Sequence, residues 1–352
     1  MNASDVLGIT LAPKMPANPR RGIGVIGAGL IINNAHLPAY RDAGFNVVAI
    51  YDLRPEAARA TADRFGIPVV CTSAGELVEH ADVDIVDMAV TPEAQGALAR
   101  AAFAAGKHVL CHKPLAETYQ EAEALVRAAD VAGVLLAVNQ QMRWSPGLHL
   151  TRRLIQQGAY GEVIELSFDI DLLSDWSWMG QRRRVEYFYN SIHYLDAIRS
   201  MLGEPLSVTA SSASYPGQKA LAETRTFTVL TYPGDLRAIV LSNHNNWSGT
   251  TRATVRCHGT EGRSEVVMGM KDYPVETADT FQFTARTTAP SWVERRFSEK
   301  WMPDSFVYPM ADLMCAIEDG RQPATSGRDN LGTLRIIEAA YRSIAEGIHV
   351  RL

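Results

Sequence analysis

The amino-acid sequence predicts an α/β domain with a doubly wound parallel sheet, followed by an α+β domain on an open, mainly antiparallel sheet. From residue 22 to 138, short apolar runs alternate with alanine-rich segments of helical period, as in buried parallel strands and their covering helices. After Asn139 the strand-like segments are longer and succeed one another directly. The link Tyr232-Pro-Gly-Asp235 between two of them indicates an antiparallel hairpin.

The first domain is placed at residues 20–141, after a tail at 1–19. Three prolines and little charge in the tail predict a poorly ordered extension or arm. Gly106 and Gly133 stand where helix C-caps belong. Ligands are expected at the carboxyl ends of the parallel strands. The predicted strands are 22–26, 46–51, 84–90, 107–111 and 134–138, and the predicted helices are 55–65, 93–105 and 117–132.

The second domain is placed at residues 142–352. An open sheet with one uncovered face is a common oligomerisation surface, so we expect a homodimer or homotetramer unless helices cover both faces. The predicted helices are 146–157, 186–202, 305–319 and 328–347, and the predicted strands are Val163–Ile170, 206–214, 224–232, 236–246 and 251–258.

Composition narrows the function class. A net charge of −5 argues against nucleic-acid binding, which needs a basic surface, and no apolar run is long enough to span a membrane. Four widely spaced cysteines without a CxxC pair favour reduced thiols in a cytoplasmic protein. Arg20-Arg21 resembles a twin-arginine export signal, but the apolar stretch after it is the first predicted strand, so we expect a cytoplasmic location.

A glycine turn follows the first predicted strand. Gly27 permits a tight turn, and Gly29 lets a pyrophosphate approach the helix N-terminus, which predicts a Rossmann dinucleotide-binding unit. Asp52, at the end of the second strand, would bind ribose hydroxyls and repel a 2′-phosphate, which favours NAD over NADP. Arg54 is the counterargument, because an arginine can bind that phosphate. The third fingerprint position is Ile32 rather than Gly or Ala, so helix–strand packing must differ there.

A lysine stands at the exit of the fourth long strand. His112-Lys113-Pro114 follows the apolar run at 107–111, where the sheet should open toward the cofactor. Lys113 is therefore a candidate general base or proton donor, although a solvated lysine is the default at such an exit. Pro114 biases Lys113 toward extended backbone, which is consistent with aiming its side chain.

Motifs along nearly the whole chain resemble the Gfo/Idh/MocA family, the glucose–fructose oxidoreductase and inositol dehydrogenase group. The resemblance implies NAD(P)-dependent oxidation of a sugar or cyclitol hydroxyl, with Lys113 as the catalytic lysine. The motifs are Gly27-Ala-Gly29, Thr91-Pro92, Lys113-Pro114-Leu-Ala, Asn139-Gln140 with Arg143, Ser191-Ile-His193-Tyr-Leu-Asp196, Gly259-Thr-Glu-Gly262 and the ending from Gly327. The NAD-binding residues it suggests are Gly27, Gly29, Leu30, Ile31, Asp52, Arg54, Thr91, Pro92, His112, Lys113 and Gln140.

The chain departs from the family pattern at two positions. The family usually has Glu where this chain has His112, and Asp where it has Tyr189. We expect His193 to share proton handling with Lys113 and Tyr189 to face the same pocket, one helical turn away. The alternative for His193 is a satisfied polar residue within an apolar helix. Asp196, three residues beyond His193, can lie beside it, face the core or face a partner domain.

The segment at 171–189 is predicted to shape substrate specificity. Trp176 and Trp178 can stack on a sugar face, and Arg182–Arg184 can bind an anion or form a solvated patch. No metal site is expected, because His108 and His112 on one strand are roughly 13 Å apart. The candidate substrate-binding residues are Arg143, Trp176, Trp178, Asn190 and His193.

Two other functions are compatible with the resemblance. The family includes proteins that bind a nucleotide and sense sugars without turnover, and glycosidases that use tightly held NAD. The presence of both Lys113 and His193 favours the dehydrogenase.

Overall fold

The computed structural model describes residues 8–174, 182–270 and 277–352. The chain divides into two compact units. The Rossmann unit contains Ala12–Gln141 and Met302–Leu331, and the sheet unit contains Met142–Trp301, Gly332–Leu352 and the described part of Met1–Leu11.

Residues 302–331 belong to the Rossmann unit, whereas the sequence analysis placed them in the second domain. Val138 donates its N–H to the carbonyl of Thr325 at 2.8 Å, and Ala137 forms an antiparallel bridge with Ser326. The returning chain therefore extends the free edge of the parallel sheet. Such pairing between distant segments leaves no local pattern in the sequence.

The Rossmann unit is built on a parallel six-stranded sheet of order β3-β2-β1-β4-β5-β6. Five of its strands lie where the apolar runs predicted them. The two-residue β3 was missed, because two residues do not make a pattern. The strands are β1 Gly22–Ile26, β2 Asn46–Tyr51, β3 Val69–Val70, β4 Ile85–Met88, β5 His108–Cys111 and β6 Leu136–Val138.

Helices connect these strands, with caps that match the sequence signals. Thr118 accepts a hydrogen bond from the N–H of Glu121, and Gly133 ends the same helix at φ +68°. The helices are α1 Leu37–Ala43, α2 Pro55–Phe65, α3 Ala74–Glu79, α4 Pro92–Ala104, α5 Tyr119–Ala132, α8 Val307–Asp319, which follows a 3₁₀ turn at Asp304–Phe306, and the first residues of α9 Gly327–Glu346.

The helix after the glycine turn begins with a π-helical segment, Ile32–His36, which continues into α1. Ile32 is fully buried at the fingerprint position that usually holds a small residue. The π segment thus starts at this buried residue, and π segments are frequent at functional sites.

The tail prediction is wrong for residues 12–18. Lys14 Nζ lies 3.0 Å from Asp319 Oδ2, and the N–H groups of Ala17 and Asn18 donate to the carboxylate of Glu318 at 2.9 and 2.8 Å. This segment is therefore bound along α8 of its own unit.

The sheet unit is built on nine strands in the order β14-β13-β12-β11-β7-β10-β9-β8-β15. Only the β7–β10 pair is parallel, and β9 and β10 form the hairpin predicted at Tyr232–Asp235. Strands β12, β13 and β14 were not predicted; β14, for example, reads VERRFSEK without an apolar run. The strands are β7 Val163–Asp171, β8 Ser207–Ala213, β9 Arg225–Thr231, β10 Arg237–Asn243, β11 Arg252–Gly259, β12 Gly262–Val267, β13 Ala278–Ala285, β14 Val293–Lys300 and β15 Val350–Arg351.

One face of this sheet is covered by helices and the other is open. Alternate residues of β9 and β10 are buried, while Phe227, Val229 and Leu241 between them are 41%, 37% and 40% exposed. Within the described residues no helix is long and apolar enough to cross a membrane. The helical segments of the unit are the 3₁₀ turn Gln141–Trp144, α6 Pro146–Gln156, the π-helical Tyr187–Ser191, α7 Ile192–Leu202 and the later part of α9.

Candidate active site

The glycine turn has the geometry that a dinucleotide site needs. Gly27 has φ +109°, and a Cβ there would lie 2.6 Å from the carbonyl oxygen of Ala89, so only glycine fits. A Cβ on Gly29 would meet no heavy atom within 4 Å, which leaves open space above the backbone. Asn33, which the sequence analysis missed, donates from Nδ2 to the carbonyls of Ala28 and Gly29 at 3.0 and 3.1 Å. The turn is thus held in place beside an open cradle.

Asp52 lies at the carboxyl end of β2 and binds the same turn. Its Oδ2 accepts from the N–H of Ala28 at 2.7 Å, and its Oδ1 accepts from the N–H and Nε of Arg54 at 2.9 and 3.2 Å. Burial alone would raise the pKa of this carboxyl, but the hydrogen bonds and the charge of Arg54 lower it. Asp52 is therefore ionised at neutral pH, and Arg54 is paired with it.

The apolar residues beside the turn are exposed. Leu30 is 71% exposed and Leu53, next to Asp52, is 86% exposed. Ile31 is half-buried. The open space above Gly29, the ionised Asp52 and the exposed Leu30 and Leu53, which follow Gly29 and Asp52 in the chain, fit a dinucleotide.

Lys113 lies in the loop after β5, at the carboxyl end of the sheet. It is half-buried, and burial lowers its pKa from the ordinary 10.5 to about 8. His112 before it has a pKa well below the ordinary 6.5, because of burial and of the nearby charges of Lys113 and His36. The imidazole of His112 is thus neutral at neutral pH. Unlike the glutamate that the family usually has at this position, it places no negative charge beside Lys113.

A cluster of buried polar side chains lies next to the ring of His112. His36 Nδ1 lies 2.7 Å from Asp87 Oδ2, Tyr40 donates to the same oxygen at 2.9 Å, and Asn139 Nδ2 lies 3.1 Å from His36 Nε2. The His36 and His112 ring centroids are 5.6 Å apart. Sequence analysis missed His36, Tyr40 and Asp87, because three polar residues in separate apolar elements show no common pattern.

Two further predicted cofactor positions lie at strand ends of this unit. Thr91 is exposed and precedes α4, and its side chain makes no capping hydrogen bond to that helix. Pro92 is the first residue of the helix. Gln140, just after β6, is buried, and neither polar atom of its side chain has a hydrogen-bond partner among the residues that the structure describes. An amide left in this way fits a site completed by a bound group.

His193 lies in the first turn of α7, in the sheet unit. It is 5% exposed, and its ring stands edge-on to Trp301 with the centroids 5.7 Å apart. Tyr189 lies in the π-helical turn before α7 and packs on Val185 and Ala222. The phenol of Tyr189 accepts a hydrogen bond from Arg182 Nη1 at 2.8 Å. An arginine, rather than an acid, therefore neighbours the phenol that replaces the family's aspartate.

Arg143 was predicted as a substrate contact, but the structure gives its guanidinium an internal partner. Nε lies 2.5 Å from Asp196 Oδ2 and Nη2 lies 2.6 Å from Oδ1, with both side chains buried. Thr333 donates to the same carboxylate at 2.8 Å. Asp196 is therefore buried and paired with Arg143, and substrate contact by Arg143 stays a prediction.

Asn190, another predicted substrate contact, is half-buried, and its side chain is hydrogen-bonded to His244. Its Nδ2 lies 2.8 Å from His244 Nε2, and His244 Nε2 lies 3.3 Å from Glu186 Oε1. Ser191 and Thr226 also donate to Glu186, at 2.6 and 3.0 Å. Sequence analysis missed Glu186 and His244, because this contact joins the start of a helix to a residue 58 positions later.

The specificity segment is only partly described. Trp176 and Trp178 lie outside the described residues. Arg184 donates to Glu338 at 2.7 Å and lies over the ring of Tyr341, while Arg183 is exposed. Among the residues that the structure describes, no group of three His, Cys, Asp or Glu side chains is placed to hold a metal ion.

Two family models match the chain. The model of an oxidoreductase family with an NAD-binding Rossmann fold matches residues 21–140, and the model of the Gfo/Idh/MocA C-terminal domain matches residues 148–265. Together they cover more than half of the chain, in the order of its two domains. The chain belongs to the Gfo/Idh/MocA family.

Individual relatives are similar along the whole chain. D-apiose dehydrogenase of Paraburkholderia graminis is 29% identical over 100% of this chain and 95% of that protein. Inositol 2-dehydrogenase of Rhizobium meliloti is 26% identical over 92% of this chain and 96% of that protein. The structure of an Agrobacterium radiobacter oxidoreductase in complex with NAD⁺, L-tartaric acid and magnesium has a TM-score of 0.82 at 24% identity, covering 94% and 98% of the two chains, and shows the shared fold.

Within the Gfo/Idh/MocA fold, the candidate residues are divided between the units. The glycine turn, Asp52 and Lys113 belong to the Rossmann unit, whereas Asn190 and His193 belong to the sheet unit. Each unit thus contributes one strand-end or helix-end cluster of chemically active side chains.

Proposed function

We propose that this Gfo/Idh/MocA protein is an NAD-dependent dehydrogenase that oxidises a hydroxyl of a monosaccharide or cyclitol. The observation that carries the proposal is Lys113, whose pKa burial lowers to about 8 at the carboxyl end of the sheet that carries the glycine turn. A lysine with an ordinary pKa is protonated at neutral pH and cannot serve as a base.

Alcohol oxidation removes a hydride and a proton. NAD, when bound, would supply the hydride acceptor, and the backbone at Gly27 and Gly29 together with the Asp52 carboxylate would hold it. The neutral Nζ of Lys113 takes the hydroxyl proton. His193 donates or accepts a hydrogen bond at the reacting oxygen, and Asn190 orients a neighbouring hydroxyl.

The proposed substrate class rests on the relatives and on the neutral candidate contacts. Two of the similar proteins are dehydrogenases of D-apiose and of inositol. Asn190 offers a neutral amide, and the Arg143 guanidinium is engaged by Asp196. Both observations favour an uncharged polyol over a phosphorylated or uronic substrate.

A substrate screen tests the proposal. Aldoses, cyclitols and sugar acids are each incubated with the protein and NAD, and NADH absorbance is followed. A neutral sugar or cyclitol should give accumulating NADH. Glycoside cleavage without net NADH would indicate a glycosidase, and sugar binding without either reaction would indicate a sensor. Turnover of only phosphorylated or uronic substrates would contradict the proposed substrate class.

We further infer that the protein forms a homodimer or homotetramer through the open face of the nine-stranded sheet. Phe227, Val229 and Leu241 would leave a contiguous apolar strip in water in a monomer. The variant Phe227→Glu/Leu241→Glu should dissociate the assembly in light scattering after size-exclusion chromatography. Val131→Glu, at a 90% exposed position of α5, is the control and should leave the mass unchanged.

A cytoplasmic location is supported by the cysteines. Cys71, Cys111, Cys257 and Cys315 are all free and buried, as expected for a protein kept in a reducing compartment. Cell fractionation with an activity assay tests this location.

A further inference from the structure

Gln95 lies in the first turn of α4 and reaches the loop that carries Lys113. Its Nε2 lies 3.0 Å from each of three backbone carbonyl oxygens, those of His112, Pro114 and Leu115. The side chain is 1% exposed. One amide group therefore connects α4 to the residues on both sides of the predicted base.

Three carbonyl oxygens around one point repel one another unless a donor stands between them. The amide of Gln95 offers two N–H groups to these three acceptors, so the hydrogen bonds are shared. Buried carbonyls require such partners. The backbone N–H of Gln95 donates to the carbonyl of Thr91 at 3.1 Å. The residue that carries the amide donor is therefore part of the first turn of α4.

We infer that Gln95 is a positioning residue, which holds the backbone on both sides of Lys113 so that its Nζ is kept at one place in the site. This inference rests on the proposed dehydrogenase function. Gln95 itself touches neither a reacting atom nor the Lys113 side chain through any of these bonds. A displacement of about 1 Å in a catalytic group is enough to lower a rate about a hundredfold.

Gln95→Met tests the inference, because methionine keeps the length of the side chain and removes both donors. We expect kcat to fall about 10- to 100-fold, while KM for the sugar and Kd for NAD change less than about threefold. Gln95→His places a ring N–H at nearly the same distance from Cα and should recover most of the lost kcat.

Phe103→Leu is the matched control on the same helix. Phe103 is buried, at 3% exposure, and this change destabilises α4 without removing a donor from the loop. Its kcat should remain near that of the wild type at a temperature where both proteins are folded. Equal losses of kcat in Phe103→Leu and Gln95→Met would show that Gln95 acts only through the stability of the fold, which would overturn the inference. An unchanged kcat in Gln95→Met would overturn it as well.

A second readout does not depend on turnover. The pH dependence of Lys113 labelling by an amine-reactive reagent, followed by mass spectrometry, reports the pKa of that amine. In Gln95→Met the loop should loosen, and this pKa should rise from about 8 toward the ordinary 10.5 as Lys113 meets water.

The two measurements distinguish a failure of the proposed dehydrogenase function from a failure of the positioning role of Gln95. If no sugar is oxidised but the labelling pKa rises in Gln95→Met, the proposed function fails and the positioning role stands. If the wild type is active and neither kcat nor the labelling pKa responds, the positioning role fails alone.

Discussion

Arg143 and Asp196 form a bidentate ion pair that is buried within the sheet unit. Both residues belong to motifs of the family, and Arg143 was predicted as a substrate contact. The pair joins the turn before α6 to α7, the helix that carries His193, and Thr333 adds a hydrogen bond from α9.

Removing one partner of this pair should destabilise the protein strongly. Arg143→Met leaves the Asp196 carboxylate buried without its partner, which costs about 3–5 kcal/mol in the free energy of unfolding. Denaturant titration measures this loss. As a control, Glu346→Gln breaks the pair between Arg342 and Glu346, whose side chains are 60% and 48% exposed, and it should cost about 0–1 kcal/mol. Equal effects of the two changes would show that burial of the Arg143–Asp196 pair does not matter.

Cofactor preference should depend on Asp52. The ionised carboxylate repels a 2′-phosphate, so kcat/KM should be higher with NAD than with NADP. Asp52→Ala removes this charge and also the acceptor for Ala28, so NAD should bind more weakly and the preference should relax by about tenfold or more. Steady-state kinetics with both cofactors measure the ratio. A wild-type preference for NADP would show instead that Arg54 determines the choice.

The pH dependence of turnover should follow Lys113. Only the neutral amine accepts a proton, so kcat/KM should rise with pH through about 8 and level off above it. Lys113→Met should abolish turnover and leave NAD binding, measured by calorimetry, largely intact. A variant with near-normal kcat would remove Lys113 from the mechanism.

The same group affects stability with a definite sign. Its pKa is lower in the folded protein than the ordinary 10.5, so the unfolded chain binds more protons between about pH 8 and 10.5. Lys113 therefore destabilises the folded protein fully below about pH 8, and this unfavourable contribution disappears as pH rises from about 8 to 10.5. Lys113→Met should accordingly melt at a higher temperature than the wild type at pH 7.

His193 and Tyr189 should differ in importance. His193→Ala should lower kcat by about two to four orders of magnitude if the imidazole handles a proton or binds the reacting oxygen. Tyr189→Phe loses the hydrogen bond from Arg182 and should mainly raise KM. Steady-state kinetics on the two single variants compare them. If Tyr189→Phe is as damaging as Lys113→Met, the phenol is itself catalytic.

Local patterns were sufficient for five of the six strands of the Rossmann unit and for its glycine turn. The run Gly22–Ile26, the turn at Gly27 and the acid at Asp52 predict a strand, a turn and a ribose-binding carboxylate, because each depends on neighbouring residues. The apolar runs of β2, β4 and β5 are read in the same way, since strands buried on both faces consist of apolar residues. Strands such as β14, with charged residues on an exposed face, carry no such signal.

The candidate site divides in the same way between sequence and tertiary structure. The sequence by itself determined the glycine turn, Asp52, Lys113 and His193 as candidates, because their chemistry and spacing are local. Only the tertiary structure decided that Gln95 meets the Lys113 loop, that Arg143 is bound by Asp196 and that Asn190 rests on His244. Each of these contacts joins residues 17 to 54 positions apart, and a hydrogen bond over such a distance depends on how elements pack rather than on any pattern along the chain.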